Sequence, residues 1–171
     1  MLNLIKPDLS LKDDFLEMIA EFRAKSEFFV YHDLAMINFS DYLADIEASE
    51  KGNQLKPGYV PQTTFWLVLD NQTILGESRL RHYLTPTLEL EGGHIGYAIR
   101  PSQRLKGYGT QILASTRIEA AKLGLSRVLV TCDADNIGSQ KIILANGGLF
   151  DGENLSPHSK NWVHRYWVPV P

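Results

Sequence analysis

The sequence predicts an α+β (mixed α/β) fold, a sheet covered by helices within one domain over residues 1–171. Three observations predict it. Strand patterns follow one another at hairpin spacing from residue 64 to residue 99. The hydrophobic period changes from strand-like to helix-like near Gly107. Beyond that point two helical segments flank a compact apolar strand, Arg127 to Cys132.

The elements follow in order. Leu2 to Ile5 is a short opening strand. Ser10 and Asp13 form an S-x-x-D helix start, and Leu11, Phe15, Met18, Ile19 and Phe22 then give one buried helical face. Ser40 and Asp41 open a second, shorter helix with Tyr42, Leu43 and Ile46 inward. Residues 51–63 carry two prolines and two glycines and read as a loop. Thr64 to Leu69 is an aromatic and β-branched strand, Asp70-Asn71-Gln72 a turn, and Thr73 to Leu84 a long strand interrupted at Gly76. A hairpin turn containing Pro86 and Gly92-Gly93 leads into His94 to Ile99, which ends at Pro101. Gly107 to Leu123 is a helix with Ile112, Leu113, Thr116, Ala120 and Leu123 on one stripe and Gly124 as its C-terminal cap. Asn136 to Asn146 is a further helix, with Ile142 and Ile143 buried, and Trp162 to Val168 a closing strand.

Composition narrows the function classes. The net charge is -3 and no basic block stands out, so the footprint of a nucleic-acid binder is missing. Cys132 is the single cysteine, which excludes an internal disulfide and a cysteine zinc cluster. The apolar runs fall short of the roughly 20 residues of a membrane span. No signal-peptide core opens the chain, and a cytoplasmic location without membrane partners is expected. His32, His82, His94, His158 and His164 lack metal-ligand spacing, and no metal is expected.

The chemistry points to residues 94–110, HIGYAIRPSQRLKGYGT. A strand runs into a turn that opens a helix. The first turn of a helix presents free N–H groups and the positive end of its dipole. Gly107 and Gly109 let backbone approach a bulky anion, and Arg104 and Lys106 add mobile positive charge. These parts suit a pyrophosphate. The segment lacks the G-x-x-x-x-G-K-[ST] pattern of a P-loop, and Gly107-x-Gly109 lacks the third glycine of a dinucleotide fold.

This segment resembles the signature of the Gcn5-related N-acetyltransferase (GNAT) family, [Q/R]-x-x-G-x-[G/A], with Arg104, Gly107 and Gly109 at its fixed positions. The later D-N-I-G-S-Q-K-I-I-L-A-N-G-G is similar to the family's N-x-x-[A/S] helix start, through Asn136, Ser139 and Gly147. The resemblance spans about residues 2–168. It implies a central, mostly antiparallel sheet of about seven strands, splayed between the fourth and fifth and flanked by about four helices. It also implies acetyl-CoA as cosubstrate. The pantetheine arm would lie along Tyr97 to Ile99, with Ile99 as its backbone partner. The pyrophosphate would sit on the amides of Leu105, Lys106, Gly107, Tyr108, Gly109 and Thr110, Tyr108 packing over the turn or stacking on the ligand. Asn136 and Ser139 would face the thioester.

The reaction implied is direct attack of a primary amine on the acetyl thioester in a ternary complex. Three residues are candidates for its proton transfers. His94 stands where some family members carry a glutamate base, and otherwise caps its strand. Glu77 shares by alternation a face with Leu75 and Arg79, and is either in the cleft or paired with Arg79. Many members carry a tyrosine seven residues after the helix-starting Asn, where this chain has Ile143; Ser139 or a water would replace it, or the thiolate would leave unprotonated near the helix terminus. The acceptor, a small molecule or peptide amine, would enter near residues 28–63 and 150–165. A non-catalytic acyl-CoA-binding or sensing module on the same fold is the alternative, a nucleotide-binding protein is a third reading, and a homodimer is left open.

Overall fold

The computed structural model describes residues 1–171, the side chain of Val30 excepted. Seven strands form two antiparallel sheets. The first has the order β1 (Leu2–Ile5), β2 (Gln62–Leu69), β3 (Thr73–Arg81), β4 (Ile95–Ile99). The second has the order β5 (Arg127–Asp133), β7 (Trp162–Pro169), β6 (Leu149–Leu155). The expected strands are present, and β6 adds one at an edge that the sequence left without periodicity. Helices α1 (Lys12–Ala24), α2 (Val30–Ile37) and α3 (Phe39–Glu50) cover one face of the first sheet. Helix α5 (Tyr108–Lys122) lies on the other face, and α6 (Ile137–Ala145) packs beside it.

Several boundaries differ from expectation, each for a local reason. Asp8, not Ser10, opens the first helical segment, because its carboxylate accepts the Ser10 amide and caps a 3-10 turn ahead of α1. Asn38 caps α3 by accepting from the Ser40 and Asp41 amides. The short helix α4 (Pro86–Leu90) occupies the expected hairpin turn, with Pro86 at its first turn and Thr85 as its cap. Helix α2 falls within residues 28–63, the expected acceptor region, where the sequence shows no separate helix start.

A β-bulge decides which way β3 faces. The register shifts where Leu67 and Val68 meet Gly76 and Ile74, leaving Leu75 as the extra residue. Ile74 consequently joins the α1–α3 core, with the stacked rings of Phe15, Trp66 and Tyr42. Leu75 packs on Ile112 of α5 instead. Alternation through the bulge therefore fails: Glu77 does not share Leu75's face but points toward α2. Asp14 of α1 accepts the Ile74 amide at 2.5 Å and so holds the bulge to the helix.

The two sheets share a hydrophobic core and are tied by hydrogen bonds at the base of β4. His94 donates its amide to the Leu129 carbonyl at 2.7 Å. Leu129 donates back to His94 Nδ1 at 2.9 Å, and the Gly92 amide reaches Thr131 Oγ1 at 3.0 Å. Arg81 fixes this corner by donating to the carbonyls of Gly92 and Gly93. Beyond the corner β4 and β5 share no ladder, and the strands diverge. Gly93 is needed there: its φ is +57°, and a Cβ would overlap the Leu129 carbonyl. Gly93→Ala should therefore lower stability by about 3 kcal/mol or more. Gly124→Ala has a similar φ of +78° but open space around it, and should lose only about 1 kcal/mol. Urea unfolding of the two variants checks the difference.

Candidate functional site

The divergence of β4 and β5 opens a cleft of about 650 Å³. Tyr97, Ala98 and Ile99 of β4 form one wall. Asn136, Gly138, Ser139, Lys141 and Ile142 at the start of α6 form the other. The turn Gln103–Thr110 closes one end, with Glu27 and Phe29 from the α1–α2 connection. Because Arg100 donates its amide to Leu75 of β3, strand alternation turns the backbone groups of Ile99 and Tyr97 away from β3 and into the cleft.

The turn is built to leave amides open. Leu105 and Gly107 both take positive φ, +61° and +84°. Gly107 is the N-cap of α5 and supplies no side-chain cap. Among the described residues, none of the amides from Leu105 to Thr110 donates to another protein group. These unpaired donors meet the positive end of the α5 dipole, an arrangement that attracts a multiply charged anion.

Helix α1 holds the turn in place through charge. Arg100, at the end of β4, is buried and bonds Asp14 at 2.8 Å, Glu21 at 2.6 Å and Glu17 at 3.3 Å. Burial alone would raise the Glu21 carboxyl, but the Arg100 guanidinium and the Ser102 amide hold it below its usual value. Arg104 bonds both oxygens of Glu27, at 2.7 and 2.6 Å, and donates to the Ile99 carbonyl at 3.1 Å. Lys106 turns away to Ser102 and Gln103. The two cations expected to be mobile are thus committed to protein partners. Lys141 lines the cleft and makes no hydrogen bond or ion pair among the described residues.

A family model described as an acetyltransferase (GNAT) domain matches residues 4–148. The chain belongs to the GNAT acetyltransferase family, and it is an acyltransferase of that type. A search of curated proteins finds no match. Among solved structures, the chain is similar to an acetyltransferase of Salmonella typhimurium that modifies the N-terminal serine of ribosomal protein L7/L12. The two share 15% identity with a TM-score of 0.71, over 99% of this chain and 95% of that one. It is similar to Mycobacterium smegmatis RimJ, solved with a CoA-disulfide, at 12% identity and a TM-score of 0.74 over 99% and 82% of the two chains. It is also similar to the microcin C7 self-immunity acetyltransferase MccE, solved with acetyl-CoA and AMP, at 17% identity and a TM-score of 0.68 over 99% and 92%. These likenesses establish the GNAT fold.

Within this GNAT chain, Tyr97, Ile99, Arg104, Leu105, Gly107, Gly109, Thr110, Asn136 and Ser139 all line the cleft. Lys106 and Tyr108 do not; Tyr108 packs on the Leu67–Leu75–Ile112 cluster instead. Gly109 is buried, and a Cβ there would strike Ile142, so it serves α5–α6 packing as well as the turn. Sequence reasoning missed Glu27, Gln103, Gly138 and Lys141, and placed Phe29 with the acceptor. It also missed the acidic ladder Asp14, Glu17 and Glu21, whose i, i+3, i+7 spacing was a usable signal.

His94 and Glu77 lie outside the cleft. Because His94 Nδ1 accepts the Leu129 amide, the remaining proton of the neutral ring sits on Nε2. That leaves no free lone pair for a base. Burial, aided by Arg81, lowers its pKa to about 4. Glu77 is buried beneath α2, where its Oε1 accepts from Tyr31 at 2.6 Å and contacts His32 Nε2 at 3.0 Å. Burial would raise this carboxyl, but His32, Arg79 and Tyr31 together hold it low.

The His94 shift gives a stability prediction. A histidine whose folded pKa lies below its unfolded value of 6.5 contributes stability that is present above that value. That stability is lost as pH falls, because the unfolded chain takes up a proton that the folded one refuses. Wild type should lose about 1–2 kcal/mol between about pH 6.5 and about pH 5. His94→Asn, which keeps an acceptor for Leu129 but does not titrate, should flatten this slope in urea midpoints measured across the range.

Proposed function

We propose that the protein transfers an acetyl group from acetyl-CoA to a primary amine of a small molecule or peptide, by direct attack in a ternary complex. The observation that carries this reading is the run of unpaired amides from Leu105 to Thr110 at the mouth of a cleft along the open edge of β4. An anion cradle, an unpaired strand edge and the polar pair Asn136 and Ser139 follow in that order. A pyrophosphate, an amide-bearing pantetheine arm and a thioester present matching chemistry in the same order. The arm would add to the edge as a strand does, through the backbone of Tyr97 and Ile99. Lys141 would supply the mobile positive charge toward the phosphates. The ligands of RimJ and MccE, CoA and acetyl-CoA, support the same cosubstrate here.

When bound, acetyl-CoA supplies an activated acyl group, and the chain's part is to hold and orient it. Alignment of thioester and amine is the largest contribution such a site makes, on the order of 7–11 kcal/mol in model systems. The acceptor approaches across Gly96, where a Cβ would meet nothing within 4 Å. This opening adjoins Ala98 of the cleft and lies on the α2 side of the sheet, where Ala98 packs. With His94 and Glu77 both turned away, the amine proton leaves to solvent through that opening. A carboxylate or imidazole base inside the cleft is not part of this reading.

A non-catalytic acyl-CoA sensor is the second reading. Its motive is Ile143, which is fully buried in the core where many members carry a cleft tyrosine. Free-thiol release from acetyl-CoA with a panel of primary amines separates the two. Amine-dependent release supports transfer, and tight binding without release on any amine supports the sensor. For the cradle, Gly107→Glu should weaken CoA binding at least about 100-fold by placing an anion among the amides. The fold should survive, since space around Gly107 is open. Calorimetry with CoA checks this, and unchanged affinity would remove the assignment. Stronger thermal protection by ATP or NAD than by CoA would favour the nucleotide reading.

A further inference from the structure

The cleft contains a phenol that the sequence assigned only a backbone role. Tyr97 Oη lies 2.8 Å from Ser139 Oγ, and both residues line the cleft. Ser139 sits in the first turn of α6, its amide held by Asn136 Oδ1 at 3.0 Å. Tyr97 comes from β4, across the splay. Ile143, one turn further along α6, is buried against the core and contributes nothing to the cleft. The aromatic hydroxyl at this end of the cleft therefore comes from the strand, not from the helix.

Hydrogen-bond counting gives the pair a direction. A serine hydroxyl has one hydrogen and two lone pairs. If Ser139 donates to Tyr97, its hydrogen is spent and it presents only lone pairs to the cleft. If Tyr97 donates to Ser139, the serine hydrogen is left for a sulfur, either the neutral Cys132 thiol, to which Ser139 also bonds, or a departing thiolate. A thiolate developing nearby selects the second arrangement, because a charge-assisted bond is roughly twice as strong as a neutral one. Burial pushes the Tyr97 phenol up to about 12, so it stays protonated and serves as a donor rather than an acid. The ionisable groups around this end are Cys132 on β5, whose thiol burial pushes up to about 11, its neighbour Asp133, Tyr166 on β7 and Lys141 on α6; the Glu27–Arg104 pair lies at the turn end of the cleft. None of them is bonded to Tyr97.

We propose that Tyr97 is a positioning residue for the leaving group: its hydroxyl donates to Ser139 Oγ and thereby aims the Ser139 hydrogen at the CoA sulfur. The proposal rests on acetyl-CoA occupying the cleft as described above. In the transfer, the amine nitrogen bonds to the acyl carbon, the carbon–sulfur bond breaks and its electron pair goes to sulfur, where the Ser139 O–H stabilises it. The amine's surplus proton passes to solvent, and the thiolate is protonated from solvent on release. Neither Ser139 nor Tyr97 changes its protonation state.

The test uses CoA itself as the probe, so it needs no acceptor. The thiol pKa of bound CoA is read by ultraviolet thiolate absorbance across pH, with affinity fitted by calorimetry in parallel. In wild type the bound thiol should titrate below free CoA. Tyr97→Phe should raise it by about one pH unit, and Ser139→Ala by at least as much. The double variant should rise no further than Ser139→Ala, and Ser139→Thr, which keeps the hydroxyl, should stay near wild type. A wild-type pKa in Tyr97→Phe, with Ser139→Ala shifted, would overturn the proposal and leave Tyr97 a packing residue. So would additive shifts in the double variant. Failure of wild type to bind CoA would instead overturn the cofactor reading, and calorimetry reports that outcome separately. Because Tyr97→Phe removes one oxygen and keeps the ring, its urea midpoint shows whether the fold is intact.

Discussion

The structure depends on one corner where two sheets are tied and then forced apart. His94 and Leu129 exchange two hydrogen bonds, one through the backbone and one through the imidazole. Gly93 lets the backbones come close enough for that exchange. Arg81 covers the carbonyls beside it. Past this point β4 has a partner on only one side. In a closed sheet its outward amides and carbonyls would be spent on β5. Here Arg104 covers the Ile99 carbonyl and the others face the cleft, which is a costly state for backbone unless something hydrogen-bonding fills it. A neutral imidazole suits the corner because it accepts a bond without bringing charge into an apolar contact. Its low pKa is the consequence of that placement.

Charge in this protein organises the site from behind. Arg100 and Arg104 flank the turn of open amides, yet both are committed to carboxylates of the protein. Arg100 is buried under Asp14, Glu17 and Glu21, and Arg104 is forked onto Glu27. The same Asp14 holds the β3 bulge. One acidic face of α1 thus fixes the bulge, the end of β4 and the turn together. Fixing the turn matters because open amides bind an anion well only if they are already aligned. Mobile cations would add attraction without geometry. Backbone supplies direction, and Lys141 is the side chain left to supply charge.

Behind β4 lies a second buried polar group, Glu77 with Tyr31 and His32, and Arg79 over the Tyr31 ring at 3.1 Å. Glu77 Oε2, Arg79 Nε, Tyr42 Oη and Trp66 Nε1 are buried there with no hydrogen-bond partner among the described residues. The carboxylate ties α2 to the sheet, since both residues that bond Glu77 sit in that helix's first turn. It borders the acceptor side without reaching the cleft. Its role in this structure is to hold the wall past which an acceptor would move.

By itself the sequence determined the fold class, the strand order from β2 to β5 and the glycine turn that opens α5, because each depends on local spacing. Helical and strand periods are written in neighbouring residues, and R-x-x-G-x-G fixes backbone geometry within a single turn. Three things were not local. The side that Glu77 takes depended on a bulge, which alternation through Leu75 cannot reveal. The role of His94 depended on Leu129, thirty-five positions away, whose amide claims Nδ1. The partners of Arg100 came from α1 and that of Arg104 from the segment just after it, all more than seventy positions earlier. Tyr97 and Ser139 were both named from sequence, but their 2.8 Å contact exists only because the sheets splay and bring β4 opposite the start of α6. Residue type and spacing set what each group can do. Tertiary packing decided which hydrogen bonds were already spent, and so which groups remain open to the cleft.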